Sequence, residues 1–288
     1  MEHDRNREDN IQKLHEMLRD KTYKTSEYTT FTIFEPKERL IFRLPYFPDR
    51  ITHHAVMNVL ESIFSATFTA DTYSCIKGRG IHAAVNGVKK ALRDESGTRY
   101  CMKLDIRKFY PNVDHEILKQ LLRRKIKDGD LLFLLDEIID SADGLPIGNY
   151  LSQYFANFYL TYFDHWMKEV KGVKYYFRYA DDLVILSDNK PYLHQLLSEI
   201  KSYLTVNLKL TVKGNYQIFP VDARGIDFVG YVFRHTHTRL RKSIKQNFAR
   251  MLKKKPNHQS IASYYGWAVH CDSKHLLKKL FNEELQSV

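Results

Sequence analysis

Tyr175-Tyr-Phe-Arg-Tyr-Ala-Asp-Asp-Leu-Val-Ile-Leu-Ser187 sets two apolar, β-prone runs on either side of a pair of adjacent acids. The local pattern predicts a hairpin with Ala180, Asp181 and Asp182 at its tip. Neighbouring carboxylates repel, so holding both at a rigid turn costs stability unless a cation compensates. Successive side chains of a strand point to opposite faces, so one acid is expected to aim at a site while its neighbour sits aside. On these residues alone an ordinary acidic turn is the simpler reading. The rest of the chain changes it.

Upstream of the hairpin, Arg99-Tyr-Cys-Met-Lys-Leu-Asp105 reads as a strand that ends on an acid. Asp114 then stands where an N-cap belongs, before a helix that buries Ile117, Leu118, Leu121 and Leu122 and exposes Arg123, Arg124, Lys125 and Lys127. A second helix over about 130–141 leads to the loop Gly144-Leu-Pro-Ile-Gly148 and to a long amphipathic helix with Phe155, Phe158, Tyr159, Tyr162 and Trp166 on its apolar side. Downstream, Leu193, Leu196, Leu197, Ile200 and Leu204 mark another helix, and strands follow near 216–219 and 226–234. Strand, helices, hairpin, helix, strand is the split βαβ order: an antiparallel sheet with helices on one face, in an α+β fold.

The flanks differ in composition. The N-terminal part predicts a helix with Ile11, Leu14, Met17 and Leu18, and two strands, Phe31–Phe34 and Arg39–Leu44, around the turn Glu35-Pro-Lys-Glu38. A helix with Val56, Val59, Leu60 and Ile63 follows, then a loop Tyr73–Gly80 and a helix carrying Ile81, Ala84, Val85, Val88 and Leu92. In that loop Lys77-Gly-Arg-Gly80 joins two cations to two glycines; glycine lets backbone approach a ligand, and Lys77 and Arg79 could grip phosphate oxygens there. A solvated basic turn explains the same residues. From Arg239 to Gln259 the chain has eight Lys or Arg and no acid, on a helical pattern with Ile244, Phe248 and Met251 inward. Such a module suits a duplex backbone, because each neutralised phosphate releases counterions.

Composition bounds the class. A 288-residue chain that is 43% hydrophobic and 13% aromatic can bury a substantial core, which excludes a disordered protein. The net charge of +11 points to a polyanionic partner. No apolar run approaches the roughly 18 residues of a spanning helix, and the first ten residues have no signal-peptide core, so no membrane partner is expected. Cys75, Cys101 and Cys271 are odd in number and unpatterned, which fits reduced thiols and a cytoplasmic setting. His53-His54 and His235-Thr-His237 read as surface or strand residues, not zinc ligands.

The topology can bring Asp105, Asp181 and Asp182 to one rim of one sheet. Hard oxygen ligands of that sort suit Mg²⁺, with Mn²⁺ as an alternative. Two such ions about 3.5–4 Å apart can activate a hydroxyl and neutralise a leaving pyrophosphate, which is the chemistry of nucleotidyl transfer.

At this point the chain resembles the reverse transcriptase family over nearly its whole length. Tyr179-Ala-Asp-Asp182 looks like the family's Y-x-D-D motif, and Leu104-Asp-Ile-Arg-Lys-Phe-Tyr110 like its first acidic motif. Gly144-Leu-Pro-Ile-Gly-Asn-Tyr-Leu-Ser-Gln153 resembles the glycine loop before the palm helix, and Gly225-Ile-Asp-Phe-Val-Gly-Tyr231 the end of the palm. The resemblance implies a right-hand polymerase: an N-terminal helical extension over 1–30, fingers over 31–98, a palm over 99–234 and a helical thumb over 235–288. It implies that Asp105, Asp181 and Asp182 hold two catalytic Mg²⁺ ions, and that the ring of Tyr110 lies against the sugar and rejects a ribose 2′-hydroxyl. Lys77, Arg79 and Arg43 become triphosphate candidates, and Lys213 falls near the pyrophosphate. Arg241, Lys242, Lys245 and Arg250 become candidates for the nucleic-acid backbone.

One departure is informative. Where most reverse transcriptases have Q-G-x-x-x-S-P, this chain has Ile147-Gly148-Asn-Tyr-Leu-Ser152-Gln153, similar to the reverse transcriptases of diversity-generating retroelements. Ser74-Cys-Ile-Lys-Gly-Arg-Gly-Ile-His82, Gln217-Ile-Phe-Pro-Val-Asp-Ala-Arg-Gly225 and Gly266-Trp-Ala-Val-His-Cys271 point the same way. That resemblance implies a template-repeat RNA copied into cDNA mutated at adenines, and a small basic accessory protein as partner. It implies deoxynucleotides and an RNA–cDNA hybrid as ligands. Ile147 and Gly148 would then lie near the nascent base pair, with an apolar branch in place of a long amide. A retron or group II intron-like reverse transcriptase is the nearest rival; intron enzymes usually carry further domains, and this sequence ends just after its expected thumb. A non-catalytic RNA-binding protein on the same fold is the rival of another class.

Overall fold

A computed structural model describes residues 6–34, 38–254 and 257–285. The elements in order are α1 (Arg7–Arg19), β1 (Thr29–Ile33), β2 (Arg39–Arg43), α2 (Ile51–Thr67), β3 (Thr72–Tyr73), α3 (Ile81–Ala91), β4 (Tyr100–Asp105), α4 (His115–Arg123), α5 (Gly129–Ile139), α6 (Tyr150–Tyr159), α7 (Thr161–His165), β5 (Tyr175–Tyr179), β6 (Asp182–Ser187), α8 (Lys190–Leu208), β7 (Gln217–Pro220), α9 (Val221–Arg224), β8 (Ile226–Phe228), β9 (Tyr231–Phe233), β10 (Thr238–Leu240), α10 (Lys242–Leu252), α11 (His258–Ala268) and α12 (Lys274–Leu285). They fall into two compact units, one drawn from Met1–Thr69, Ile106–Val170 and Ile200–Val212, the other from Ala70–Asp105, Lys171–Glu199 and Lys213–Val288. Among the described residues no helix is long and apolar enough to cross a membrane.

The second unit is built on a five-stranded sheet in the order β3-β5-β6-β4-β7. Near-continuous apolar runs put β4 and β6 at its centre, with Cys101, Met102, Leu183, Val184 and Ile185 at 0% exposure. The apolar stripe of α3, Ala84, Val85 and Val88, belongs to one buried cluster with Phe177, Val184 and Leu186 of the sheet. Each valine, leucine or phenylalanine among them is worth about 1.5–3 kcal/mol when fully buried. The expected all-antiparallel sheet is corrected at one edge: β3 pairs parallel with β5 through Thr72↔Arg178 and Tyr73↔Tyr179. The long segment between these strands, which contains α3, β4 and the helices from α4 to α7, gives ample length for the crossover that a parallel pair needs. A two-residue strand carries no alternation, so the sequence offered only a loop there.

A second sheet, β10-β9-β8, is fully antiparallel. The single strand expected over 226–234 is in fact a hairpin, turned at Val229 and Gly230, both with positive φ (42° and 89°). Thr238–Leu240 is its third strand, so the basic helix begins only at Lys242. In the core beneath, Phe228, Tyr231 and Phe233 are each at 0% exposure.

In the first unit, β1 and β2 pair antiparallel from Thr29↔Arg43 to Ile33↔Arg39. The turn expected at Glu35-Pro-Lys-Glu38 lies outside the described residues except for Glu38. Asp114 caps α4 by accepting from Ile117 N at 3.0 Å, and Asp128 caps α5 by accepting from Leu131 N at 2.8 Å. The long helix expected after Gly148 is broken: α6 ends at Tyr159, α7 is short, and Trp166–Val170 is a π-turn. His53 is buried at 2% exposure on α2, where a surface position was expected.

The Gly144–Gly148 loop is pinned on both sides. Leu145 N donates to Tyr110 O at 2.8 Å, and Phe42 N donates to Ile147 O at 2.8 Å. Gly144 has φ +59°, and a Cβ there would lie 2.6 Å from the carbonyl oxygens of Tyr110 and Pro111. Gly148 has φ +122°, and its Cβ would meet Phe42 O. Gly144→Ala is therefore expected to destabilise by about 2–3 kcal/mol, summing left-handed strain and overpacking against backbone, as read by urea denaturation.

Candidate active site

The β4–β6 register places Asp105 directly opposite Asp182. Cross-strand partners share one face, with Cβ atoms about 4.5–5.5 Å apart, and like charges so placed destabilise the sheet. The hairpin turn is shorter than the sequence implied. Tyr179 pairs with Asp182, leaving Ala180 and Asp181 alone in the turn, so Asp182 belongs to the strand. Ala180 takes φ 53°, where two-residue turns favour glycine, asparagine or aspartate. Arg178, at 0% exposure, donates from Nη1 to Ala180 O at 3.0 Å and so ties the turn to the sheet beneath it.

Two lysines answer the paired acids. Lys213 donates its backbone N to Asp105 O at 2.8 Å, and its Nζ lies 2.5 Å from Asp105 Oδ1. Lys103 Nζ lies 3.4 Å from Asp182 Oδ2 and also donates to the Asp227 carbonyl. The Asp227 carboxylate is in turn held by Arg241, with Nε at 2.6 Å and Nη2 at 2.5 Å from Oδ1. Burial pushes the Asp182 carboxyl up to about 6, Lys103 works against that shift, and the charges of Asp105 and Asp181 reinforce it.

The other expected residues are placed as follows. Because β3 runs parallel to β5 and ends at Tyr73 beside Tyr179, the Ser74–Gly80 loop leaves the same end of the sheet as the acidic turn. Lys77 is exposed and Arg79 half-buried on that loop. Lys242, Lys245 and Arg250 are exposed on α10, the first two lining a cleft with Arg234 and Arg239. Arg241 is committed to Asp227. In the first unit, Tyr110 begins a single 3₁₀ turn, its ring edge-on to Phe109 at 5.7 Å. Ile147 is half-buried and Gly148 exposed, on the pinned loop. Sequence reasoning missed Lys103 and Asp227. The signal for Lys103 was present, since a residue two before Asp105 on a strand shares its face.

Among the described residues no three His, Cys, Asp or Glu side chains converge as a ready-made metal cage. The fit to a divalent cation rests on two oxygens. Oδ1 of Asp105 and Oδ1 of Asp182 are both buried, and neither makes a hydrogen bond; the Lys213 contact to Asp105 has ion-pair distance without hydrogen-bond alignment. A buried Asp182 oxygen with no donor, beside an Asp105 oxygen whose charge is met only by the Lys213 ammonium, matches what a hard cation takes.

The solved structures most relevant here share a right-hand polymerase fold. Telomerase from Candida tropicalis in complex with the TWJ fragment of telomeric RNA superposes with a TM-score of 0.58 at 14% identity, over 80% of this chain and 49% of that one. The Sicinivirus 3Dpol RNA-dependent RNA polymerase gives a TM-score of 0.57 at 13% identity, over 94% and 65%. The fold is that of a right-hand polymerase. The family model for reverse transcriptase (RNA-dependent DNA polymerase) matches residues 34–233, and the chain belongs to that family. Relatives include Protein YkfC of Escherichia coli K12, 24% identical over 65% of this chain and 61% of that protein. The group II intron-encoded protein LtrA of Lactococcus lactis is 27% identical over 57% and 29%. The retron Ec73 reverse transcriptase of Escherichia coli is 24% identical over 75% and 74%. The chain thus spans less than two thirds of the length of the first two.

The Asp182 shift sets a pH dependence. Its carboxyl moves from an ordinary 3.8 to about 6, so the folded protein holds the proton more tightly than the unfolded chain. Stability then falls as pH rises from about 4 to about 6, and the loss persists above that. Metal-free Asp182→Asn should be more stable than the parent at pH 7 by about 1–3 kcal/mol, with the difference vanishing below about pH 4 in urea titrations.

Proposed function

We propose that the chain is an RNA-directed DNA polymerase that copies a template-repeat RNA into adenine-mutagenised cDNA, as in a diversity-generating retroelement. The observation that supports polymerisation is the in-register Asp105–Asp182 pair, with a buried Asp182 oxygen that has no donor and an Asp105 oxygen met only by the Lys213 ammonium. Asp105 and Asp182, with Asp181 on the adjoining turn, would hold Mg²⁺ or Mn²⁺. When bound, such ions favour ionisation of a primer 3′-hydroxyl and neutralise the leaving pyrophosphate. The protein's own part is positioning and charge. Lys77 and Arg79 bind the triphosphate oxygens, and Lys213 supplies positive charge at Asp105. Tyr110 excludes a 2′-hydroxyl, and Ile147 with Gly148 backs the nascent base pair. Lys242, Lys245 and Arg250 contact the backbone of the RNA–cDNA hybrid, recognised by shape rather than sequence. A small basic accessory protein is the expected partner.

The test is primer extension on a defined RNA template with Mg²⁺ and deoxynucleotides, followed by cDNA sequencing. Extension with errors concentrated opposite template adenines is expected, and loss of product by at least 10³-fold in Asp181→Ala/Asp182→Ala, since the chemistry depends on charge at those oxygens. Accurate extension would favour the second reading, a retron or group II intron-like enzyme, which the retron relative's coverage of 74% of its own length makes specific. No extension with the native RNA and partner present would leave a binding protein on a polymerase fold.

The subclass rests on Ile147, whose apolar branch gives no polar contact to the base pair. Ile147→Gln is expected to lower misincorporation opposite adenine several-fold while leaving extension opposite the other bases intact. An unchanged error spectrum would remove Ile147 as the cause.

A further inference from the structure

We infer that Lys103 is a positioning residue: its ammonium is shared between Asp182 and the Asp227 carbonyl in the metal-free protein, and a divalent cation entering the Asp105–Asp182 pair takes over its place at Asp182 and leaves it on the Asp227 carbonyl, next to the carboxylate that Arg241 holds. This rests on the reading of that pair as a cation site.

The geometry carries it. Lys103 stands two residues before Asp105 on β4, so both side chains rise from the same face. Its cross-strand partners are Val184 and Gln217, which puts Asp182 on the diagonal, within reach of a long side chain. The Lys103 and Asp182 side chains keep only 24% and 28% of their exposure, so the pair is shielded from full solvent screening. Yet at 3.4 Å the ammonium is not clamped, since a charge-assisted hydrogen bond of this type runs about 2.7–2.9 Å. Its closer partner is the Asp227 carbonyl.

That carbonyl is a fixed dock. The Asp227 carboxylate is ion-paired to Arg241, and Arg241 N donates to Gly230 O at 2.9 Å, so β8 and the start of α10 are held together behind it. The contrast with Lys213 is informative. Lys213 is anchored to Asp105 by backbone and side chain alike, whereas Lys103 has a second acceptor to which its charge can retreat. A cation can therefore replace Lys103 at Asp182 without leaving the ammonium unpaired.

The test measures Mn²⁺ binding to the full chain without nucleotide or nucleic acid, following free Mn²⁺ by electron paramagnetic resonance, together with the melting temperature with and without Mn²⁺. Lys103→Met should bind Mn²⁺ roughly tenfold or more tightly than the parent, as removal of one nearby unit charge predicts. Its melting temperature should be lower than the parent's without metal and equal to it at saturating Mn²⁺. Lys103→Arg should bind like the parent. Arg241→Met, which loosens the dock and leaves Lys103 on the pair, should bind Mn²⁺ several-fold more weakly, and serves if Lys103→Met fails to fold. Unchanged or weaker binding by Lys103→Met, or parental binding by Arg241→Met, overturns the inference. Asp182→Asn separates the two readings: if it binds Mn²⁺ as the parent does, the cation site itself is wrong and the inference falls with it.

Discussion

A single cross-strand register sets two carboxylates against each other at the centre of a sheet. The two acids gain nothing from facing each other; the buried residues beside them, Leu104 and Leu183, hold the register that makes them do so. Apolar burial on the order of several kcal/mol fixes the register, and the repulsion is imposed as a consequence. The acids cannot relax by sliding, because a slip of one residue would send every β6 side chain to the wrong face. The surroundings have to adjust instead, and they do so with cations.

The compensation is layered. Arg178 holds the turn from within the core, Lys213 closes on one acid, and Lys103 hovers at the other. Behind Lys103 the Asp227–Arg241 pair draws the small β8–β9–β10 sheet into the electrostatics of the larger one. The arrangement leaves one buried Asp182 oxygen without a donor and one Asp105 oxygen met only by the Lys213 ammonium, which is a poor solution for a protein meant to stand alone and a good one for a protein that takes up a divalent cation.

Much of this was legible in the residues. The apolar runs around Ala180-Asp-Asp182 and the strand ending on Asp105 announced the central hairpin and its partner, because buried strands leave a compositional trace. The N-cap at Asp114 was equally plain. What was not legible had no periodic signal: the two-residue strand at Thr72, the hairpin hidden in 226–234 and the break after Tyr159 all depend on tertiary contacts. Strand alternation predicts that one acid of the Asp181–Asp182 pair aims at the site and the other sits aside, without saying which. The structure distinguishes Asp182, on the strand and paired, from Asp181, in the turn, and that distinction depends on a turn only two residues long. Lys103 went unnoticed because a lone lysine in a strand looks like a solvated charge until the acid on its diagonal is known. Arg241 was grouped with the basic helix, and only the third strand, Thr238–Leu240, places it against Asp227.

The loop from Gly144 to Gly148 has a consequence for how such a protein can diversify. Its backbone is fixed from both sides, by the Tyr110 carbonyl and by the amide of Phe42, and the two glycines make those approaches possible. Ile147 sits between them with its main chain committed and its side chain half-exposed. A position of that kind is mechanically insulated: a lineage can exchange the side chain without shifting the frame that presents it. Selection can therefore change this side chain by itself, while the cost of altering either glycine keeps the frame constant.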